Sequence, residues 1–213
     1  MNKENIKKIL VLFLITCFFN GCFFNQNKFD LPKENGEKMN LARETKDIEL
    51  LQFLAKNKNQ GVRANVASNI KTPQKTLEKL AQDDSWVVRS YTAANRQCPQ
   101  SILTQLSSDP NPKVRWVVAK NPTTNQEILA KFVTDQDNEV QSYLAENENL
   151  SKKLMMEIAN KSSSIAILKL LNRLDLPKEI FMHLTQHQDN KVKEKAQKKL
   201  EENFPNDEIL SHQ

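Results

Sequence analysis

Glycine is scarce in this chain, with three in 213 residues. Large β-structures use glycine in their turns, and a phosphate-cradling loop needs several close together, so both are excluded. Cysteine is equally rare. Cys17 and Cys22 lie near the start, which leaves Cys98 alone in the body of the chain. A strong excess of one charge is also missing: the formal net charge is +5, and part of that comes from Lys3, Lys7 and Lys8. The mild remainder forms no concentrated basic run, so a nucleic-acid partner is not expected. No nucleophile stands beside a base, and no catalytic pair of acids is evident. With a negative mean hydropathy, these absences point to a soluble, helical, non-enzymatic body with no cofactor.

What is present begins with a positively charged start followed by an apolar run over residues 9–19. That run is shorter than the roughly 20 apolar residues of a spanning helix, and the basic flank suits an export signal. Phe19-Asn20-Gly21-Cys22 then resembles the lipobox of bacterial lipoproteins, with small Gly21 directly before the cysteine. It departs from that pattern at Phe19, where leucine is usual, and at Asn20, where a small residue is usual. The resemblance implies that residues 1–21 are a signal peptide and that Cys22 becomes the acylated first residue. A plain signal peptide or an uncleaved anchor is the alternative, and Cys17, after Thr16, is the weaker lipidation candidate. Phe23 is not an aspartate retention signal, so in a two-membrane host the expected location is the outer membrane, facing the periplasm. Residues 22–45 are expected to comprise the acylated cysteine and a flexible tether. They are rich in Asn, Lys and Glu, contain Pro32 and Gly36, and show no apolar period.

Beyond the tether the chain repeats itself. Val62-Arg63, Val88-Arg89, Val114-Arg115 and Val140-Gln141 recur at a constant spacing, and four further ladders keep step with them. Asn69, Asn95, Asn121 and Asn147 form one, and Ala67, Ala93, Ala119 and Ala145 another. Leu77, Leu103, Leu129 and Met155 form the third, and Leu80, Leu106, Phe132 and Ile158 the fourth. Ile165 with Asn172 is read as continuing the series after one deletion, and Val192 after one insertion.

Each unit resolves into two short helices. Asn59, Ser85, Asn111, Asp137, Ser162 and Asp189 are suited to cap the first helix, and Pro112 suits a first helical turn. Apolar offsets of three and four, as at Val114, Val117 and Val118, mark one buried face. The asparagine ladder falls where that helix stops, a place for a left-handed residue. The second helix opens near Thr72-Pro73, Cys98-Pro99 or Thr124, the last with Glu127 at capping-box spacing.

This pattern resembles the leucine-rich repeat variant and the related HEAT-like solenoids. The implied fold is all-α, a right-handed α-solenoid of about five to six two-helix repeats over residues 46–204, with 205–213 as a tail. Asp83 with Arg89, and Asp109 with Arg115, match the aspartate and arginine positions of HEAT units, which in that family bond between neighbouring repeats. Some variant-repeat proteins carry an iron–sulfur cluster on clustered cysteines; Cys98 alone implies none here.

Five groups of residues remain as site candidates. Cys98 is expected to replace a capping threonine, with a disulfide to another chain as the alternative. His183 and His187 are four apart, but no third ligand accompanies them and no metal is expected. Arg63, Arg89 and Arg115 are expected to form inter-repeat ion pairs, with a phosphate or partner stripe as the alternative. Trp116 stands where other repeats have Ala64, Ser90 and Ser142. Trp86 stands where they have Gln60, Pro112 and Asn138. Both tryptophans are candidate partner anchors, although covering apolar surface would also explain them. The expected function is an envelope-anchored, protein-binding repeat scaffold. An immunity-type lipoprotein that occupies a toxin is a variant of this reading, and a spacer without a specific partner is another possibility. A HEAT-like enzyme such as a DNA glycosylase fits poorly with export.

Overall fold

The computed structural model describes residues 29–205. The chain divides into two compact units, Met1–Lys33 and Glu34–Gln213. Only residues 29–33 of the first are described, and they contain no helix. The signal peptide, Cys22 and all of the expected tail except Pro205 lie outside the described residues.

The second unit holds thirteen helices and no strand among its described residues. Seven form one layer: α1 (Asn35–Glu44), α3 (Gln60–Ser68), α5 (Trp86–Ala94), α7 (Pro112–Lys120), α9 (Asn138–Ala145), α11 (Ser164–Leu170) and α13 (Asn190–Asn203). The other six alternate with them: α2 (Ile48–Leu54), α4 (Gln74–Leu80), α6 (Gln100–Leu106), α8 (Gln126–Ala130), α10 (Lys152–Lys161) and α12 (Lys178–Leu184). This is the α-solenoid of helical repeats that the ladders imply. From α1 to α11 each first-layer helix packs directly on the next. Small buried residues such as Ala64, Ser90 and Ser142 let those backbones approach closely.

The caps show how regular the array is. First-layer helices begin after Asn59, Ser85, Asn111, Asp137, Ser163 and Asp189. Second-layer helices begin after Asp47, Pro73, Pro99, Asn125, Ser151 and Pro177. Both series advance by 26 residues at every step, the spacing that the inter-repeat bonds also keep. The expected deletion and insertion are therefore absent. Ala166, fully buried, takes the valine slot, while Ile165 is 56% exposed. Ser163 caps α11, and Ser162 instead closes α10, its hydroxyl donating to the Val133 carbonyl. The run Ile165-Ala166-Ile167-Leu168 is apolar at every position, so hydrophobic pattern cannot choose its register. Cap chemistry does.

A second correction concerns the tether. Residues 35–44 form α1, which packs on α3 and buries Ala42. An end helix buries only one narrow side, so it shows no apolar period. Gly61 permits the close seat: a Cβ there would lie 3.0 Å from the Met39 sulfur. The repeat body thus begins ahead of residue 46.

Capping follows expectation at four sites. Asn59, Asn111, Asp137 and Asp189 accept backbone N–H groups of the following turn. Ser85 makes no such bond; its hydroxyl donates to Gln60 in the preceding repeat. The helix after Thr124 is capped by Asn125, which accepts from the Ile128 N–H.

Candidate functional site

The asparagine ladder is buried and points inward. Each Nδ2 reaches back to the end of the preceding first-layer helix: Asn95 donates to the Ala67 and Asn69 carbonyls at 2.7 and 3.0 Å. Asn121 and Asn147 repeat that pattern. Asn69 makes the same bonds to Ala42, Arg43 and Thr45, which ties α1 into the array. Each Oδ1 accepts the N–H two residues on, as from Gln97. The backbone at Asn69, Asn95 and Asn121 is extended, and no described non-glycine residue has positive φ. The ladder is an inter-repeat staple rather than a left-handed helix stop. Arg173 continues it at the fifth rung, donating to the Ala145 and Asn147 carbonyls.

The arginines form a parallel ladder. Arg63, Arg89 and Arg115 each make a two-pronged ion pair with the aspartate 20 residues ahead, Asp83, Asp109 and Asp135. The remaining Nη1 donates to backbone carbonyls of Asn57, Asp83 and Asp109 respectively. Burial pushes the Asp83 carboxyl upward, but bonds from Arg63 and the Ser85 N–H, with two arginine charges, hold it below its ordinary value. Asp135 behaves alike, with Arg115 and the Asp137 N–H against burial. Guanidinium nitrogens engaged on both edges have their bonds inside the array, as the structural reading expects.

At the next rung Gln141 stands alone, because the position that would hold its aspartate is Lys161. Its Nε2 donates to the Asp135 carbonyl, and its Oε1 accepts from the Ser163 N–H. One neutral amide thereby makes the backbone bonds that an arginine and an aspartate divide between them elsewhere. A third ladder escaped the sequence reading. Gln100 donates to the Thr123 carbonyl and accepts from the Asn125 N–H, and Gln126 does the same with Asn149 and Ser151. Their even spacing was visible, but the backbone partners were not.

Thr72 and Thr124 donate to carbonyls six residues back, sealing the first helix instead of capping the second. Cys98 fills the same slot as a buried free thiol, and burial pushes its pKa up to about 12. His183 bonds Asn160, while His187 Nδ1 accepts the Asp189 N–H. Among the described residues no cluster suited to a metal ion occurs.

The tryptophans part company. Trp86, 37% exposed, lies under the Lys113 ammonium at 5.0 Å. Trp116 is half-buried against the core and meets Tyr143 edge-to-face, with ring centroids 5.1 Å apart. The Trp116–Tyr143 pair lines a groove of about 480 Å³ that does not include Trp86. Ala94 stands where the next two repeats place Lys120 and Glu146, which leaves the groove open on that side. Val117 and Pro122 complete its apolar floor, and Arg96 and Glu148 join its lining. Tyr143 reads in the sequence as part of the apolar face with Val140 and Leu144, and Arg96 and Glu148 do not depart from ordinary surface composition.

No family model matches the chain, and no curated protein matches it. Solved structures do. One is described as a leucine-rich repeat variant with a novel repetitive structural motif. It is 22% identical, with a TM-score of 0.58 over 79% of this chain and 67% of that one. The fold is that of a helical-repeat solenoid. Two engineered proteins, 20% and 19% identical, give TM-scores of 0.38 and 0.34 over 82% and 77% of this chain, and 95% and 86% of theirs. The first likeness bears on the solenoid fold alone, and the other two carry no argument.

Proposed function

We propose that this chain is a lipid-anchored scaffold of a bacterial cell envelope whose solenoid binds another protein at the groove beside Trp116. The observation that carries the binding half is the aromatic pair. The arginine and asparagine ladders direct their polar groups into the array, whereas Trp116 and Tyr143 line an open groove. Half-buried tryptophan with tyrosine beside it is the composition that concentrates binding energy. The anchoring half rests on Gly21-Cys22 after the short apolar run. Attachment is assigned to acyl chains on Cys22; among the described residues no helix is long and apolar enough to cross a membrane. Each buried methylene of such a chain contributes about 0.8 kcal/mol, and two chains suffice for a stable hold. No catalytic step is assigned.

The test is made in cells expressing the full chain with an alkyne-palmitate label. The native chain takes the label and fractionates with membranes, and Cys22→Ser loses both properties. Crosslinking from the envelope then captures a protein with the native chain and with Lys75→Ala, but not with Trp116→Ala. A chain that stays soluble with Cys22 intact overturns the anchoring half. Capture unaffected by Trp116→Ala overturns the binding half.

A further inference from the structure

The charges around the groove are not all balanced. Lys120 lies 4.0 Å from Glu146 and 5.2 Å from the Tyr143 ring, and Glu146 also pairs with Lys169 at 2.8 Å. Two cations thus share the one Glu146 carboxylate, and both lining charges, Lys120 and Glu146, have an ionic partner. Arg96 and Glu148 differ: both are exposed, and neither has an ionic partner among the described residues. Each follows a ladder asparagine, as Pro122 does between them, so the three occupy one position in three successive repeats. The groove therefore has an unbalanced cation at one end, an unbalanced anion at the other, and an apolar floor of Trp116, Val117, Pro122 and Tyr143 between.

Dimensions narrow the occupant. Packed helices lie about 8–10 Å apart, so two repeats separate Arg96 from Glu148 by roughly 16–20 Å. An extended chain covers that length in about five or six residues at about 3.3 Å each. A helix would need about eleven to thirteen residues for the same span at about 1.5 Å each, so the spacing of the two charges distinguishes the two conformations.

Resting on the binding reading above, we infer that the groove takes an extended segment of a partner protein with three features in line. An acidic side chain meets Arg96, an apolar one covers Trp116 and Tyr143, and a basic one meets Glu148. The acidic and basic residues stand about five or six apart. Rim charges of this kind select among partners more than they add affinity.

Fluorescence polarisation with short labelled peptides and the full chain in detergent tests this. One peptide has glutamate and lysine at its ends and phenylalanine between; others have two glutamates, two lysines, or serine in place of phenylalanine. The mixed-charge peptide is expected to bind the native chain about fivefold more tightly than either like-charged peptide. Arg96→Glu moves the preference to the two-lysine peptide, and Glu148→Arg moves it to the two-glutamate peptide. Both variants alter exposed side chains, and circular dichroism checks that each stays folded. No binding of any peptide, or one order of preference in all three proteins, overturns the proposal. Self-association in sedimentation that Trp116→Ala abolishes assigns the groove to a second copy and overturns it too. If envelope capture depends on Trp116 while the peptides show no charge preference, only the segment chemistry fails and the protein-binding reading stands.

Discussion

Replacing Asn95 by alanine removes one rung of the asparagine ladder and nothing else of size. Asn95 is 3% exposed. Its amide donates to the Ala67 and Asn69 carbonyls and accepts from the Gln97 N–H. A hydrogen bond contributes about 1 kcal/mol net, and a buried group left without a partner costs about 1–3 kcal/mol. Gln97 is exposed, so water can reach its N–H, but Ala67 is fully buried. The expected loss is about 3–4 kcal/mol, a large part of the roughly 5–15 kcal/mol that holds a domain folded. The loss falls on the bond between two repeats, so their coupling also weakens and the slope of the urea transition decreases. Urea unfolding followed by circular dichroism measures both effects. Arg96→Ala, one residue away and exposed, is the control and stays within about 0.5 kcal/mol of the native chain. Asn95→Asp keeps an acceptor but sets a carboxylate against two carbonyl oxygens, and is expected to cost at least as much as alanine. A loss below about 1 kcal/mol for Asn95→Ala, with the slope unchanged, would refute the staple.

Other perturbations test the remaining ladders. Gln141→Ala strands the Asp135 carbonyl and the Ser163 N–H and is expected to cost about 2–3 kcal/mol in the same urea assay. Asp83 and Asp135 have folded pKa values below their unfolded ones, so their contribution is full above about pH 4 and disappears as the pH falls through the folded values. The urea midpoint is therefore expected to drop as the pH falls below about 4, and to drop less when Arg63 and Arg115 are both glutamine. Cys98, with its thiol pushed up to about 12 and buried, is expected to resist iodoacetamide at mildly alkaline pH and to react once the chain unfolds in urea.

Much of the fold was legible because the repeat writes the same constraint many times. Val62, Val88, Val114 and Val140 all end fully buried, and so do the leucines at 51, 54 and 103. Reading failed where a ladder changed residue type. Ala166 and Arg173 hold the valine and asparagine slots, yet neither resembles the residue it replaces, so a deletion seemed necessary where the spacing is unbroken. Helix α1 was missed for a related reason, since only Ala42 on it is buried. The arginine pairing was half legible. The aspartate six residues before Arg89 or Arg115 gives that arginine only a backbone carbonyl, and the ion pair goes to the aspartate 20 residues ahead.

The amino-acid sequence by itself determined the period, the two-helix unit, the buried faces and hence the class of fold, because each depends on side-chain type at a spacing along one chain. Tertiary structure alone decided what the polar ladders do and where a groove opens. The asparagine and glutamine ladders cross between repeats to backbone carbonyls and N–H groups 23 to 28 residues away, present at every position and so unmarked in any sequence. The groove likewise arises only when stacking brings the small side of Ala94 opposite Trp116 and sets Tyr143 at the indole's edge.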